Sequence, residues 1–200
     1  MKYIITDRDT VAVDVYIENS NGVKAYGKKT LLEILGKELE LLRVKNNEYS
    51  LIKELNEGQK KEQDKIKGEI EGKEKAIANI NKNETPEGFA VERLMFVKPD
   101  GAADEYITNE GWDRNEVTGK VTFNRSKYYK SFMATLLKSW TLAKNEPELK
   151  LDFVPMPEFQ TKLILAPKTL DMIWKLHPNI LKTILFEADN TVYGEELSKK

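Results

Sequence analysis

Residues 30–83 read TLLEILGKELELLRVKNNEYSLIKELNEGQKKEQDKIKGEIEGKEKAIANINKN. Thr30 followed three places later by Glu33 has the form of a capping box, in which hydroxyl and carboxylate each satisfy a free N–H of the first turn. Leu31, Leu32, Ile34, Leu35, Leu39, Leu41, Leu42 and Val44 then recur at helical spacing. One heptad register runs on from there. It places Leu42, Tyr49, Asn56, Gln63, Ile70 and Ile77 at one core position and Lys45, Ile52, Gln59, Ile66, Lys73 and Ile80 at the other. The polar members Asn56, Gln59 and Gln63 surround Glu57-Gly58. Glycine inside a helix costs about 1 kcal/mol against alanine, so the segment is expected to break at Asn56-Glu57-Gly58 into helices over 30–55 and 59–82. Helices of nearly equal length joined by a short polar turn pack antiparallel. Acid-before-base pairs at i,i+4 (Glu33–Lys37, Glu57–Lys61, Glu69–Lys73, Glu71–Lys75) support an exposed face.

The second of these helices contains Gly68 and Gly72 and is marginal in isolation. Its apolar line, Ile66, Ile70, Ile77 and Ile80, needs the first helix, a second copy of the chain or a partner protein. Those four are therefore candidate protein-binding residues, and homo-oligomerisation through the arm is one use of them.

On the N-terminal side, Tyr3-Ile4-Ile5 is a short strand candidate. Thr10 to Glu18 alternates, with Val11, Val13, Val15 and Ile17 on a buried face and Ala12, Asp14, Tyr16 and Glu18 on the other. Asn19 to Gly22 is a turn and Val23 to Tyr26 a returning strand. On the C-terminal side, Asn83 to Gly88 is a linker and Val91 to Val97 a strongly apolar strand. Lys98-Pro99-Asp100-Gly101 has the residues of a type I turn. Glu105 to Thr108 and Val117 to Phe123 read as short strands. Ser126 caps a helix whose stripe Tyr129, Phe132, Met133, Leu136, Leu137 and Trp140 marks it as core. Asn145 to Pro157 is loop with an edge strand, and Leu163-Ile164-Leu165 is extended. Thr169 caps Leu170 to Leu176, and Pro178 opens a last helix that buries Ile180, Leu181, Ile184, Leu185 and Ala188. Glu195 to Lys200 is a frayed tail.

The expected fold class is thus α+β: a small, mainly antiparallel sheet packed with C-terminal helices and carrying an inserted long antiparallel helical hairpin. The strands before and after the arm share one sheet. The body is 1–29 and 86–200, and the arm is 30–85.

Composition bounds the function. Of 200 residues, 40% are hydrophobic, enough for a core, and 32% are charged, as an exposed arm requires. A net charge of −1 leaves no electrostatic footprint for nucleic acid, which is not expected as a partner. With no cysteine there are no disulfides or thiolate sites, which fits a reducing cytoplasm. MKYIITDRDT reaches charge too early for a signal segment, and no apolar run has the ~18 residues of a membrane span.

Gly22-Val-Lys-Ala-Tyr-Gly27-Lys28-Lys29-Thr30 approaches the phosphate-binding pattern G-x-x-x-x-G-K-[ST]. It has Lys29 where the magnesium-holding hydroxyl belongs, so no nucleotide is expected. Asp7, Asp9 and Asp14 read as turn formers and solvated charges, and no metal or other cofactor is expected. His177, between two helices, has the place of a cap. No catalytic residue is assigned. Trp112, in Gly-Trp-Asp-Arg-Asn, is the tryptophan placed to sit exposed at an interface.

A helix with an aliphatic run ending in tryptophan (Tyr128 to Trp140) is followed by a threonine-led short helix (Thr169 to Leu176). Pro178-Asn-Ile-Leu-Lys-Thr-Ile-Leu then closes near Asn190. Over Val121 to Asn190 this pattern resembles the C-terminal part of tail assembly chaperones of tailed bacteriophages. The resemblance implies a non-enzymatic protein of phage or mobile-element origin that holds apolar segments of a tape-measure-like protein in the bacterial host cytoplasm. The alternative is a phage-encoded inhibitor or adaptor that contacts a host defence protein through its helical arm. A small enzyme is a third reading.

Overall fold

A computed structural model describes residues 10–20, 22–141, 149–156 and 162–197. The candidate strand Tyr3-Ile4-Ile5, together with Asp7 and Asp9, lies outside the described residues. The chain is α+β with a small antiparallel sheet. Its elements are β1 (Thr10–Ser20), β2 (Gly22–Gly27), α1 (Lys28–Ser50), α2 (Glu57–Asn81), β3 (Phe89–Val97), α3 (Gly101–Glu110), β4 (Trp112–Arg114), β5 (Val121–Phe123), α4 (Arg125–Leu136), β6 (Leu137–Trp140), β7 (Phe153–Pro155), β8 (Leu163–Leu165), α5 (Pro167–Ile173) and α6 (Pro178–Leu197). The main sheet has the order β2-β1-β3-β6, so the strands flanking α1 and α2 are neighbours, as expected. Two further two-stranded sheets pair β4 with β5 and β7 with β8.

The chain divides into two compact units, Tyr16–Val91 and Met1–Val15 with Glu92–Lys200. In the first, Tyr16, Leu31, Leu35 and Ile80 form a buried cluster, against which Tyr26, Leu32, Ala76, Ile77, Phe89 and Val91 pack. The alternation of β1 predicted one buried face, yet Tyr16 on the opposite face is 1% exposed. β1 therefore buries side chains on both faces.

Several boundaries differ from the sequence reading, each for a local reason. α1 starts at Lys28 with Gly27 as its N-cap and no side-chain cap, so Thr30 lies inside the helix. The break falls at 51–56. Asn56 caps α2: its Oδ1 accepts from Gln59 N at 2.9 Å, and Gln59 Oε1 accepts from Asn56 N at 3.0 Å. This reciprocal box fixes the helix start one residue after Asn56, and Gly58 sits in the first turn. α2 ends as expected, with Asn83 in the left-handed region at φ 59°. Lys73 pairs with Glu38 of α1 at 2.5 Å, not with Glu69, which lies 4.0 Å from Lys65.

In the second unit, residues 105–108 form no strand. Asp100 Oδ1 accepts from Ala103 N at 2.9 Å and caps α3, which buries Ala103 and Ile107. The turn residues Lys98 to Gly101 are thus a helix start. The stripe from Tyr129 to Trp140 is not one helix. α4 ends at Leu136, and Leu137–Trp140 becomes β6, antiparallel to β3 with Leu94 opposite Trp140 and Phe96 opposite Leu137. Trp140 is nonetheless buried, as expected. Asn124, not Ser126, caps α4 by accepting from Ser126 N and Lys127 N. Thr169 lies inside α5 behind Pro167, and its buried hydroxyl accepts from Asp152 N at 3.2 Å. Pro178 opens α6, which buries Ile184, Ala188 and Val192 and runs to Leu197, beyond the point where the tail was placed.

Candidate functional site

The β4–β5 hairpin presents aromatic surface. Trp112 is opposite Phe123, Asp113 opposite Thr122 and Arg114 opposite Val121. The connecting turn is held by Asn115, whose Oδ1 accepts from Val117 N and Thr118 N, and by Gly119 at φ 68°. Trp112 and Phe123 meet edge to face at 5.1 Å, and 49% and 48% of their surfaces stay open to solvent. Val121, on the same strand face as Phe123, is exposed as well.

This surface rests on a continuous aromatic stack. Phe123 contacts Tyr128 at 5.5 Å, Tyr128 contacts Phe132 at 6.3 Å, and Phe132, fully buried, contacts Phe96 at 5.8 Å. Gly111 lies directly beneath the hairpin: a Cβ there would meet Phe123 Cε2 at 2.7 Å. Asp113 accepts from Asn124 Nδ2 at 2.9 Å and from Lys127 Nζ, and these bonds hold its carboxyl below the ordinary range. Behind the stack, the Tyr128 hydroxyl donates to Asp189 at 3.2 Å and the Tyr193 hydroxyl donates to Asp104 at 2.9 Å. Burial pushes both phenols far above their ordinary value and raises Asp189 too. Phenols held protonated in this way act as fixed donors that lock α3, α4 and α6 together, not as bases.

The isoleucine line of α2 is placed differently. Ile80 is fully buried and Ile66 is 5% exposed, while Ile70 and Ile77 are half-buried. The most open large apolar side chains described in this unit lie instead on α1 and just beyond it, at Leu41, Val44, Leu51 and Ile52. Sequence patterning missed this stripe and Phe123, because periodicity shows which residues share a face but not which face is covered.

Among the other candidates, Gly22–Gly27 is a strand, and Lys28 Nζ donates to Asn83 Oδ1 at 2.7 Å. Asp14 is gripped by Arg93. His177 Nδ1 accepts from Asn179 N at 3.3 Å, a capping contact at the start of α6. Among the described residues, no three His, Asp or Glu side chains are grouped to hold a metal, and no helix is long and apolar enough to cross a membrane. Comparison with protein-family models, with curated proteins and with solved structures gave no match.

Proposed function

We propose that this chain is a non-enzymatic protein-binding factor whose contact surface is the Trp112–Phe123 hairpin. The observation that carries this reading is a half-exposed aromatic pair in ring contact, through Tyr128, with the fully buried Phe132 and Phe96. Exposed tryptophan with preorganised neighbours is the composition of an interface hot spot. The partner is a protein that offers an apolar segment. In its specific form, drawn from the resemblance of Val121 to Asn190, the partner is a tape-measure-like tail protein and the chain is a tail assembly chaperone. α1 and α2 are read as an antiparallel helical hairpin. Support comes from Lys28–Asn83 near one end and from Glu38–Lys73 and Arg43–Glu74 further along.

Affinity capture from infected cells tests this reading. Full-length protein should retain a tail protein, and Trp112→Ala with Phe123→Ala should lose it while staying folded. Unchanged capture by that double variant would remove the hairpin as the contact. Recovery of a host defence complex, lost instead on changing Leu41 and Val44, would favour the inhibitor reading with the arm as its contact.

A further inference from the structure

α1 has two seams. One runs through Leu31, Leu35, Leu39, Leu42, Asn46 and Tyr49, none of which is exposed. It includes Leu31 and Leu35 of the buried cluster that contains Ile80 of α2. The second runs through Ile34, Lys37, Leu41, Val44, Glu48 and Leu51, the last being the C-cap. Each residue turns a helix by about 100°. The shift of two from Leu39 and Leu42 to Leu41 and Val44 therefore places the second seam on the opposite side. There Leu41 is 64%, Val44 52% and Leu51 83% exposed. The intervals along it alternate three and four, the spacing of a two-stranded coiled-coil seam.

We propose that this outer face of α1 pairs with a second copy of the chain, antiparallel, about a two-fold axis passing between Leu42 and Arg43. The seam is its own complement in that arrangement. Leu41 of each copy meets Val44 of the other, Ile34 meets Leu51, and Lys37 meets Glu48. Apolar layers fall on apolar layers, and each base falls on an acid. A parallel, in-register pair would set Lys37 against Lys37 and Glu48 against Glu48, which like-charge repulsion disfavours. The matching of both charge and apolar layers under one operation is what selects a copy of this chain over an unrelated partner.

The seam from Ile34 to Leu51 is about 25 Å long at the α-helical rise. A helix pair of that length sits at the small end of specific interfaces, so the expected dissociation constant is on the order of 10 μM or weaker. This pairing does not rest on the Trp112 reading, since it uses a different surface on a different unit.

Sedimentation equilibrium of the full chain, from low micromolar to near-millimolar concentration, should show a monomer–dimer equilibrium. Glu48→Lys and Lys37→Glu alone should each weaken it about tenfold or more by opposing like charges. The double variant Lys37→Glu with Glu48→Lys should restore it. A mixture of the two single variants should form a heterodimer more readily than either self-associates, because every seam charge then meets its opposite. Circular dichroism of each variant checks that the helices persist. Because the chain has no cysteine, Leu41→Cys mixed with Val44→Cys should yield a disulfide-linked heterodimer and so report the direction. A chain monomeric throughout, a dimer indifferent to these charges, or a loss that the double variant fails to reverse would overturn the proposal.

Discussion

Arg93 of β3 forks onto Asp14 of β1, Nε donating to Oδ1 at 2.6 Å and Nη2 to Oδ2 at 2.8 Å. The Asp14 side chain retains 11% of its exposure, so its carboxylate depends on this partner. Arg93→Ala is expected to destabilise the chain by about 2 kcal/mol in denaturant unfolding. Combining it with Asp14→Ala should cost clearly less than the sum of the two single changes. Strict additivity would show that the fork carries no coupling energy.

Gly111 supports the candidate interface by having no side chain. Gly111→Ala would drive a methyl into Phe123 and against Tyr128 Cβ, 3.1 Å from its ideal position. A stability loss of about 1–3 kcal/mol is expected from overpacking. Trp112 should report the displaced Phe123 ring as a shift in its emission, and partner capture should fall. A variant with native emission and stability would show that the hairpin tolerates movement.

Asn56 and Gln59 form the reciprocal cap of α2. Asn56→Ala should cost about 1 kcal/mol. The loss should be local, with faster amide exchange over the first turn of α2 and unchanged protection in β3. Uniformly faster exchange would mean that the cap matters to the global fold.

Asp189 gives a pH dependence of defined sign. Burial raises its folded pKa above the ordinary 3.8, against opposing contributions from the Tyr128 hydroxyl and Arg125. A raised carboxyl favours the protonated folded state. Its stabilisation is fully present below 3.8 and is lost as pH rises through the folded value. Asp189→Asn keeps an oxygen to accept from Tyr128 and carries no charge. Its melting temperature relative to the parent should therefore rise as pH climbs from below 3.8 toward neutrality. A difference constant across that range would contradict the assigned shift.

Elements whose signal is long or chemically unambiguous were legible in the residues alone. Strand β1, helix α2, the apolar strand β3 and the helix start at Pro178 are all where their patterns placed them. These signals repeat over several turns or residues, or fix a backbone angle outright, so local context cannot easily reverse them. Tertiary structure alone decided the rest. Leu137 to Trp140 fits a helical stripe equally well, and only pairing with Leu94 to Phe96 draws it into the sheet. Residues 105–108 fit a short strand until the Asp100 cap and the burial of Ala103 and Ile107 make them helical. Exposure was decided in the same way. The polar setting of Trp112 marked it as exposed, but nothing in the spacing of Leu41 and Val44, or of Phe123, distinguishes them from core residues. They are surface because the chain's own packing is completed on the other side of the same elements, with Leu31 and Leu35 inside α1 and Phe132 beneath the hairpin.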